Sequence, residues 1–253
     1  MFNMDILIIF IFGLCTGSFA NVLIYRIPLN LSIFYPNSFC PNCKSHIKWY
    51  DNIPLISYFL LKGKCRNCKT KISIQYPIIE LLTSIISVVV WINVNKNPVL
   101  FAGYFIFIFI LLVISVIDYY HNIIPDIFSI FLILTGIFFS TLNSYIGEKI
   151  YIRLLNSIIG VISGLFIFYI ISFIGRKVFK KDVLGGGDIK LISGIGSYMG
   201  IKGVFGSIFF GSLTGSITGL FLIYFLKKKS WGSYLPFGPF LSLGIFIYFL
   251  LTI

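Results

Sequence analysis

The sequence predicts an all-α polytopic membrane protein of about eight transmembrane helices, with a small zinc-knuckle cytoplasmic loop domain. Three observations carry that prediction. The first is composition: of 253 residues, 58% are hydrophobic and only 11% charged, where a soluble domain is usually about 45–50% apolar and about 25% charged. The second is a succession of apolar runs, several of them near the roughly 20 residues that a membrane-crossing helix needs. The third is the uneven placement of Lys and Arg between those runs.

The runs cover about Met4–Ile24, Ile78–Val94, Val99–Ile117, Ile127–Leu142, Leu154–Ile174, Ile189–Met199, Val204–Leu226 and Phe237–Ile253. No basic region precedes the first run, and Asp5 is acidic, so it reads as a retained span and not a cleaved signal. The sixth run is short and opens on a glycine run, which suggests an irregular or partial crossing; such backbone is tolerated at membrane depth only against protein or a water-filled cavity. The chain thus divides into a first span, 1–24, a cytoplasmic loop, 25–77, and a transmembrane core, 78–253. No internal repeat or low-complexity tract is read. In the seventh run Ser207, Gly211, Gly215 and Gly219 recur every four residues. Small residues along one helical face let another helix approach closely.

Orientation follows from the cations. The loop before the second run carries Arg26, Lys44, Lys48, Lys62, Lys64, Arg66, Lys69 and Lys71; the loop before the sixth carries Arg176, Lys177, Lys180 and Lys181; the loop after the seventh carries Lys227, Lys228 and Lys229. With eight spans these loops share one side, the cytoplasm, and both termini lie outside. The opposite loops hold only Lys96, Lys149, Arg153 and Lys202, while Lys190 sits at the mouth of the sixth run. The net charge of +12 is therefore that of cytoplasmic loops facing the lipid bilayer, and no polar domain remains that could bind nucleic acid.

Four of the five cysteines form two C-x2-C pairs, Cys40/Cys43 and Cys65/Cys68, with 21 residues between them. That gap is slightly longer than the roughly 15–20 usual for paired knuckles. Two turns of this kind supply four thiolates to one tetrahedral ion, most simply a structural Zn2+. Two disulfides or four free thiols are the alternatives, and a reducing cytosol disfavours the first. Four thiolates leave no open coordination position, so the expected metal is structural. His46 reads as a surface residue and Cys15 as a packing residue.

Only eight acids occur. Asp118 closes the third run, and Asp188 follows the glycines Gly185, Gly186 and Gly187 at the opening of the sixth. Triple glycine is a poor helix former that permits positive φ or close approach. A carboxyl at the mouth of an apolar segment is costly to desolvate, which makes it a functional-site candidate; an N-cap is the plainer role for Asp188. Asp126, after Pro125, reads as an N-cap, Glu80 as a helix-start acid, and Asp51 as a loop acid. Two carboxyls in one low-dielectric site can divide their labour, the ionised one activating water and the neutral one protonating a leaving amine. That suits amide hydrolysis without a covalent nucleophile.

The segments Gly17–Pro28, Ile47–Pro54, Gln75–Glu80, Ile117–Asp126 and Gly185–Asp188, together with the paired cysteines, resemble the type IV prepilin peptidases, aspartic proteases with a Gly-x-Gly-Asp motif. The resemblance runs over most of the chain. It implies cleavage of the leader of prepilins and pseudopilins after glycine at the cytoplasmic face of the inner cell membrane, and N-methylation of the new terminus with S-adenosylmethionine. Carried over by position, Asp118 and Asp188 are catalytic, Gly185 and Gly187 support them, Asp126 is a lesser candidate, and Glu80 is a candidate for methyl transfer. A different Gly-x-Gly-Asp membrane protease, a proton- or cation-coupled transporter and a zinc-knuckle scaffold are the rival readings.

Overall fold

A computed structural model describes residues 4–180, 184–224 and 235–253, apart from the Phe179 side chain. Lys181, Asp182, Lys227, Lys228 and Lys229 lie outside the described residues. Eight α-helices occur among these: α1 (Met4–Arg26), α2 (Ile56–Leu60), α3 (Gln75–Asn93), α4 (Pro98–His121), α5 (Asp126–Ser140), α6 (Ile150–Phe179), α7 (Gly186–Tyr224) and α8 (Gly238–Thr252). The described residues contain no strand, only two isolated bridges. Five helices, α1, α3, α4, α6 and α7, are long and apolar enough to cross a membrane, while α5 and α8 are shorter apolar helices. The chain is a multi-pass membrane protein. It forms two compact units, Met1–Phe101 and Ala102–Ile253.

In the first unit α1 packs on α3 through its smallest residues. A Cβ on Gly17 would stand 2.7 Å from the Glu80 Cα, so the two backbones meet there. Ser87 donates to the Ile9 carbonyl at 2.9 Å, and Asn21 Nδ2 donates to the Tyr76 carbonyl at 3.1 Å. Buried Arg26 ends α1 and clamps the chain that follows, donating to the Ser32 and Ile33 carbonyls at 2.9 and 3.0 Å and to the Pro36 carbonyl at 2.6 Å. The loop domain is thereby tied to the helix that precedes it. Cys15 is exposed on α1, not packed inside; on a helix this apolar, the outward face is also apolar.

In the second unit α7 takes the centre. It spans 39 residues, which would measure about 58 Å if straight, nearly twice the roughly 30 Å hydrocarbon core. It is not straight. Gly200 has φ +64° and ψ −169°, a conformation costly to a residue with a Cβ. A Cβ on Gly196 would reach Val204 Cγ2 at 3.0 Å, whereas residues eight apart in an unbroken helix are separated by about 12 Å. The axis therefore turns sharply at Gly200, and what the sequence presents as two runs is one helix bent into two arms.

The first arm is buried almost throughout, from Leu191 to Gly200. It is not irregular, as its glycine start suggested, but helical from Gly186 onward. Its glycines meet α6: Gly160 and Gly196 face each other backbone to backbone, and a Cβ on Gly164 would lie 2.9 Å from the Ile192 carbonyl oxygen. Tyr198 stacks on Phe107 of α4 with 4.4 Å between centroids and donates its hydroxyl to Thr135 of α5 at 2.9 Å. The second arm presents its small-residue face to α8. Ser207 donates to the Leu241 carbonyl at 2.9 Å, and a Cβ on Gly211 would sit 2.9 Å from the Phe240 carbonyl oxygen. Gly160→Leu should force α6 and α7 apart and cost about 1–3 kcal/mol. A lowered midpoint of thermal unfolding in detergent checks this, with an unchanged midpoint refuting the close crossing.

Candidate active site

Asp118 lies one turn before the end of α4, and Asp188 is the third residue of α7. Both belong to the second unit and both are buried, at 3% and 5% exposure. Each accepts one backbone N–H from the start of a helix. Asp118 Oδ2 takes the Gly238 amide, which opens α8, at 3.0 Å. Asp188 Oδ2 takes the Gly185 amide, just ahead of α7, at 3.2 Å. Asp188 therefore does not precede the helix as an N-cap; it reaches back from the first turn to the amide before it, like the acid of a capping box. Its Oδ1 is buried with no hydrogen-bond partner among the described residues. Ile124 connects the two, lying against Gly187 beside Asp188 and against Gly238, whose amide Asp118 holds.

The glycine run makes this arrangement possible by its lack of side chains, and positive φ plays no part among the three. A Cβ on Gly187 would stand 2.8 Å from Ile124 Cβ, and one on Gly238 would stand 2.7 Å from Asp118 Oδ2 and 3.3 Å from Ile124 Cδ1. Ile124 is thus wedged between the starts of α7 and α8. A Cβ on Gly186 would meet nothing within 4 Å, so the middle position has room for one. Sequence reading gives Gly238 no role. Its only signal is the Gly238-Pro239 pair at the head of the last apolar run, an ordinary helix-start pattern.

Asp126 does not join the pair. Pro125 is the N-cap of α5 and Asp126 its first residue, with no side-chain cap. Its exposed carboxylate instead pairs with Lys190 at 2.7 Å. Chain order explains the correction, since Pro125 has the extended backbone that a cap requires.

In the first unit the four cysteines converge. Their Sγ atoms all lie within 4.8 Å of one another, and Cys40 Sγ to Cys68 Sγ is 3.8 Å. Zn–S bonds of about 2.3 Å in a tetrahedron put sulfurs roughly 3.8 Å apart, so this donor set fits zinc. The surrounding loop is a repeat, contrary to the reading above. Cys40-Pro41-Asn42-Cys43-Lys44-Ser45-His46-Ile47 and Cys65-Arg66-Asn67-Cys68-Lys69-Thr70-Lys71-Ile72 follow one pattern. Each closes through the same bonds: the Cys40 amide to Ser45 and the Cys65 amide to Thr70, both at 2.9 Å, and the Lys44 and Lys69 amides to the first cysteine of their own pair. Ser45 Oγ lies 3.0 Å from Cys43 Sγ, and Thr70 Oγ1 lies 2.9 Å from Cys68 Sγ. The Thr70 hydroxyl holds the Cys68 thiol down at about 5, and Ser45 lowers that of Cys43, whereas burial raises that of Cys40. Thiolate is the form a metal binds. The His46 ring is engaged by the Ile47 carbonyl oxygen and Asn37. Asp51 is more than a loop acid: Arg66, inside the second knuckle, grips both its oxygens and holds its carboxyl below the usual range.

Glu80 is not a helix-start acid. α3 begins at Gln75, which puts Glu80 in its second turn, buried, with Oε2 accepting the Leu55 amide at 2.8 Å.

A model described as the bacterial peptidase A24 N-terminal domain matches residues 11–94, and one described as the type IV leader peptidase family matches residues 105–220. The chain is 34% identical over 257 residues to the type 4 prepilin-like proteins leader peptide-processing enzyme of an enterotoxigenic Escherichia coli, with 92% of this chain and 88% of the relative covered. It is 36% identical over 252 residues to the prepilin leader peptidase/N-methyltransferase of Vibrio cholerae, with 94% of each covered. It is 30% identical over 262 residues to the enzyme of that name from Aeromonas salmonicida, with 94% and 87% covered. No solved structure matches the chain.

Two outcomes check the geometry. Gly186→Ala should leave thermal stability in detergent unchanged or slightly raised, while Gly187→Ala, which drives a Cβ into Ile124, should lower it. Purified protein should carry one zinc per chain by elemental analysis, and stripping it with a chelator should render the loop between α1 and α3 sensitive to protease, because a metal-bound fold loses its free energy with the ion.

Proposed function

The chain belongs to the type IV leader peptidase family, and on that premise we propose that Asp118 and Asp188 are the catalytic pair that cleaves the leader from prepilins and pseudopilins. The observation that carries the reading is the convergence of two buried carboxyls from different helices on one shared neighbour, Ile124, each oriented by one backbone amide. Like charges this close do not both ionise readily. The ionised carboxylate takes a proton from water, and the resulting hydroxide attacks the carbonyl carbon of the residue before the cut. The protonated partner hydrogen-bonds the carbonyl and then gives its proton to the departing amine as the C–N bond breaks. The unpartnered Asp188 Oδ1 is the atom free to hold the water.

The site is proposed to lie at the cytoplasmic face of the inner membrane, with cleavage after glycine. Counting the two arms of α7 separately gives eight crossings and leaves both termini outside; Lys202, two residues past the bend at Gly200, then sits with the sparse cations of the outer side. Four cysteines hold a structural zinc whose thiolates are Cys40, Cys43, Cys65 and Cys68. The second activity is N-methylation of the new terminal amine from S-adenosylmethionine, which the printed names of the relatives support.

Asp118→Asn and Asp188→Asn should each lower leader cleavage by about 10²–10⁴-fold or more, with thermal stability and substrate binding retained. Asp126→Asn removes only a surface ion pair and should stay within about fivefold of the unaltered protein. A prepilin cleaved at full rate by both Asp118→Asn and Asp188→Asn would overturn the assignment.

A further inference from the structure

Apolar residues scattered singly over a surface need no explanation, but in the loop between α1 and α3 they are gathered. Trp49 is 80% exposed, Ile56 56%, Phe59 71% and Leu60 76%. They belong to two short turns that are bonded to each other, the 3-10 turn Trp49–Asp51 and α2. Ser57 of α2 donates its hydroxyl to the Tyr50 carbonyl at 2.9 Å and accepts the Ile53 amide at 3.0 Å. α2 has two faces. Ser57, Tyr58 and Leu61 line a cavity of about 510 Å³ between α1, α3 and the cysteine loop, whereas Ile56, Phe59 and Leu60 do not. One hydrogen bond fixes how deep α2 sits, from the Leu55 amide to Glu80 Oε2 at 2.8 Å. α3 has 19 residues and so measures about 28 Å, a length that the roughly 30 Å hydrocarbon core takes up from end to end. Glu80 stands five residues beyond Gln75, the first residue of α3, or about 7–8 Å along the axis. Leu55, and Ile56 after it, therefore lie at membrane depth and not above it. At that level α3 itself turns Ile78 and Leu81 outward.

We propose that α2 and the Trp49 turn form a wedge seated in the phospholipid bilayer, at the boundary of headgroups and acyl chains in the leaflet where α3 begins, with the neighbouring cations on anionic headgroups. Interfacial segments sit about 5–10 Å into that boundary, which is the depth that the Leu55–Glu80 bond imposes. Trp and Tyr are the side chains favoured at this level, since one end of the ring is apolar and the other is wet; the Trp49 and Tyr50 rings meet edge to face at 5.6 Å. Charge fits the same partner. Beyond Arg26 the loop carries seven Lys and Arg against one acid, Asp51, which Arg66 already grips. Basic clusters beside a membrane helix draw anionic lipid. Lys62 and Lys64 follow α2 directly, on either side of Gly63, whose φ of +64° turns the chain there. Side chains this long lay their apolar stems along the acyl chains and keep the ammonium among the headgroups. Both ends of the loop run into membrane helices, α1 at Arg26 and α3 at Gln75, so the domain stays at the surface and its apolar face needs no other cover. The wedge also has a use within the fold: it carries to membrane depth the backbone amide that buried Glu80 accepts.

The test uses full-length protein, with zinc bound, in vesicles of phosphatidylcholine and phosphatidylglycerol. Trp91→Phe together with Trp231→Phe leaves Trp49 as the one tryptophan. Its fluorescence is expected to fall about twofold or more with lipid brominated close to the headgroup, and less with lipid brominated near the chain end. Emission that no brominated lipid quenches overturns the proposal. Emission that ignores bromine and responds only to an added prepilin overturns it as well, since the face would then belong to substrate. A second measurement needs no variant. Unaltered protein in the same vesicles is irradiated with phosphatidylglycerol that bears a photoactivatable group at the glycerol end of its acyl chain, and the labelled peptides are mapped. Label is expected in the peptides covering Trp49 to Lys64, at about twofold or more the level given by phosphatidylcholine with the same group. Absence of label there overturns the seating of the wedge, and equal label from the two lipids overturns the part assigned to the cations. Neither measurement reads leader cleavage, so both outcomes are independent of the catalytic assignment.

Discussion

Inside a membrane helix every backbone amide is already committed to the carbonyl four residues back. A buried carboxyl that needs an N–H must therefore find one outside the ladders, and the first turn of a helix is where free amides remain. Each of the three buried acids follows this constraint. Asp118 takes the amide that opens α8, Asp188 takes the amide just before α7, and Glu80 takes the amide of Leu55 in a strained turn. The positions of the helix starts are thus the positions of the acids.

That constraint explains why so much of the structure is built on missing side chains. For the α7 and α8 starts to approach Ile124 and Asp118, the residues there must be Gly187 and Gly238, because a Cβ would collide. For the first arm of α7 to stand centrally, Gly196 must meet Gly160 backbone to backbone. Without a strong solvent-driven force between apolar helices in lipid, such close packing and interhelical hydrogen bonds are what hold a bundle together. Ser197 and Ser207, which donate to the carbonyls of Leu132 and Leu241 on neighbouring helices, serve the same end.

The two units solve the problem of polar chemistry differently. The second keeps its acids between apolar helices, with backbone amides to orient them among the described residues. The first unit folds a polar loop too small for a core of its own, and replaces that core with a donor set for metal, an Arg66–Asp51 clasp and the Arg26 clamp on the chain after α1. A small polar module stabilised by metal is an ordinary solution below about 70–80 residues.

The sequence alone determined the membrane class, the four-cysteine donor set and the two acids worth attention, because each depends on residue type at short range: apolar run length, the C-x2-C turn, and the rarity of charge. It also contained the knuckle repeat, which is visible once the flanking Lys, Ser or Thr, and Ile are aligned with the cysteines. Tertiary structure alone decided which acids come near one another. Asp126 looked as close to Asp118 in sequence as a partner could be, yet it faces out and pairs with Lys190, while Asp188, seventy residues away, is brought by Gly187 to the same Ile124 that flanks the Asp118 site. Gly238 and Leu55 were beyond reach for the same reason: what they contribute is a backbone amide, which every residue but proline owns, and only the packing of helices settles whose amide is left free.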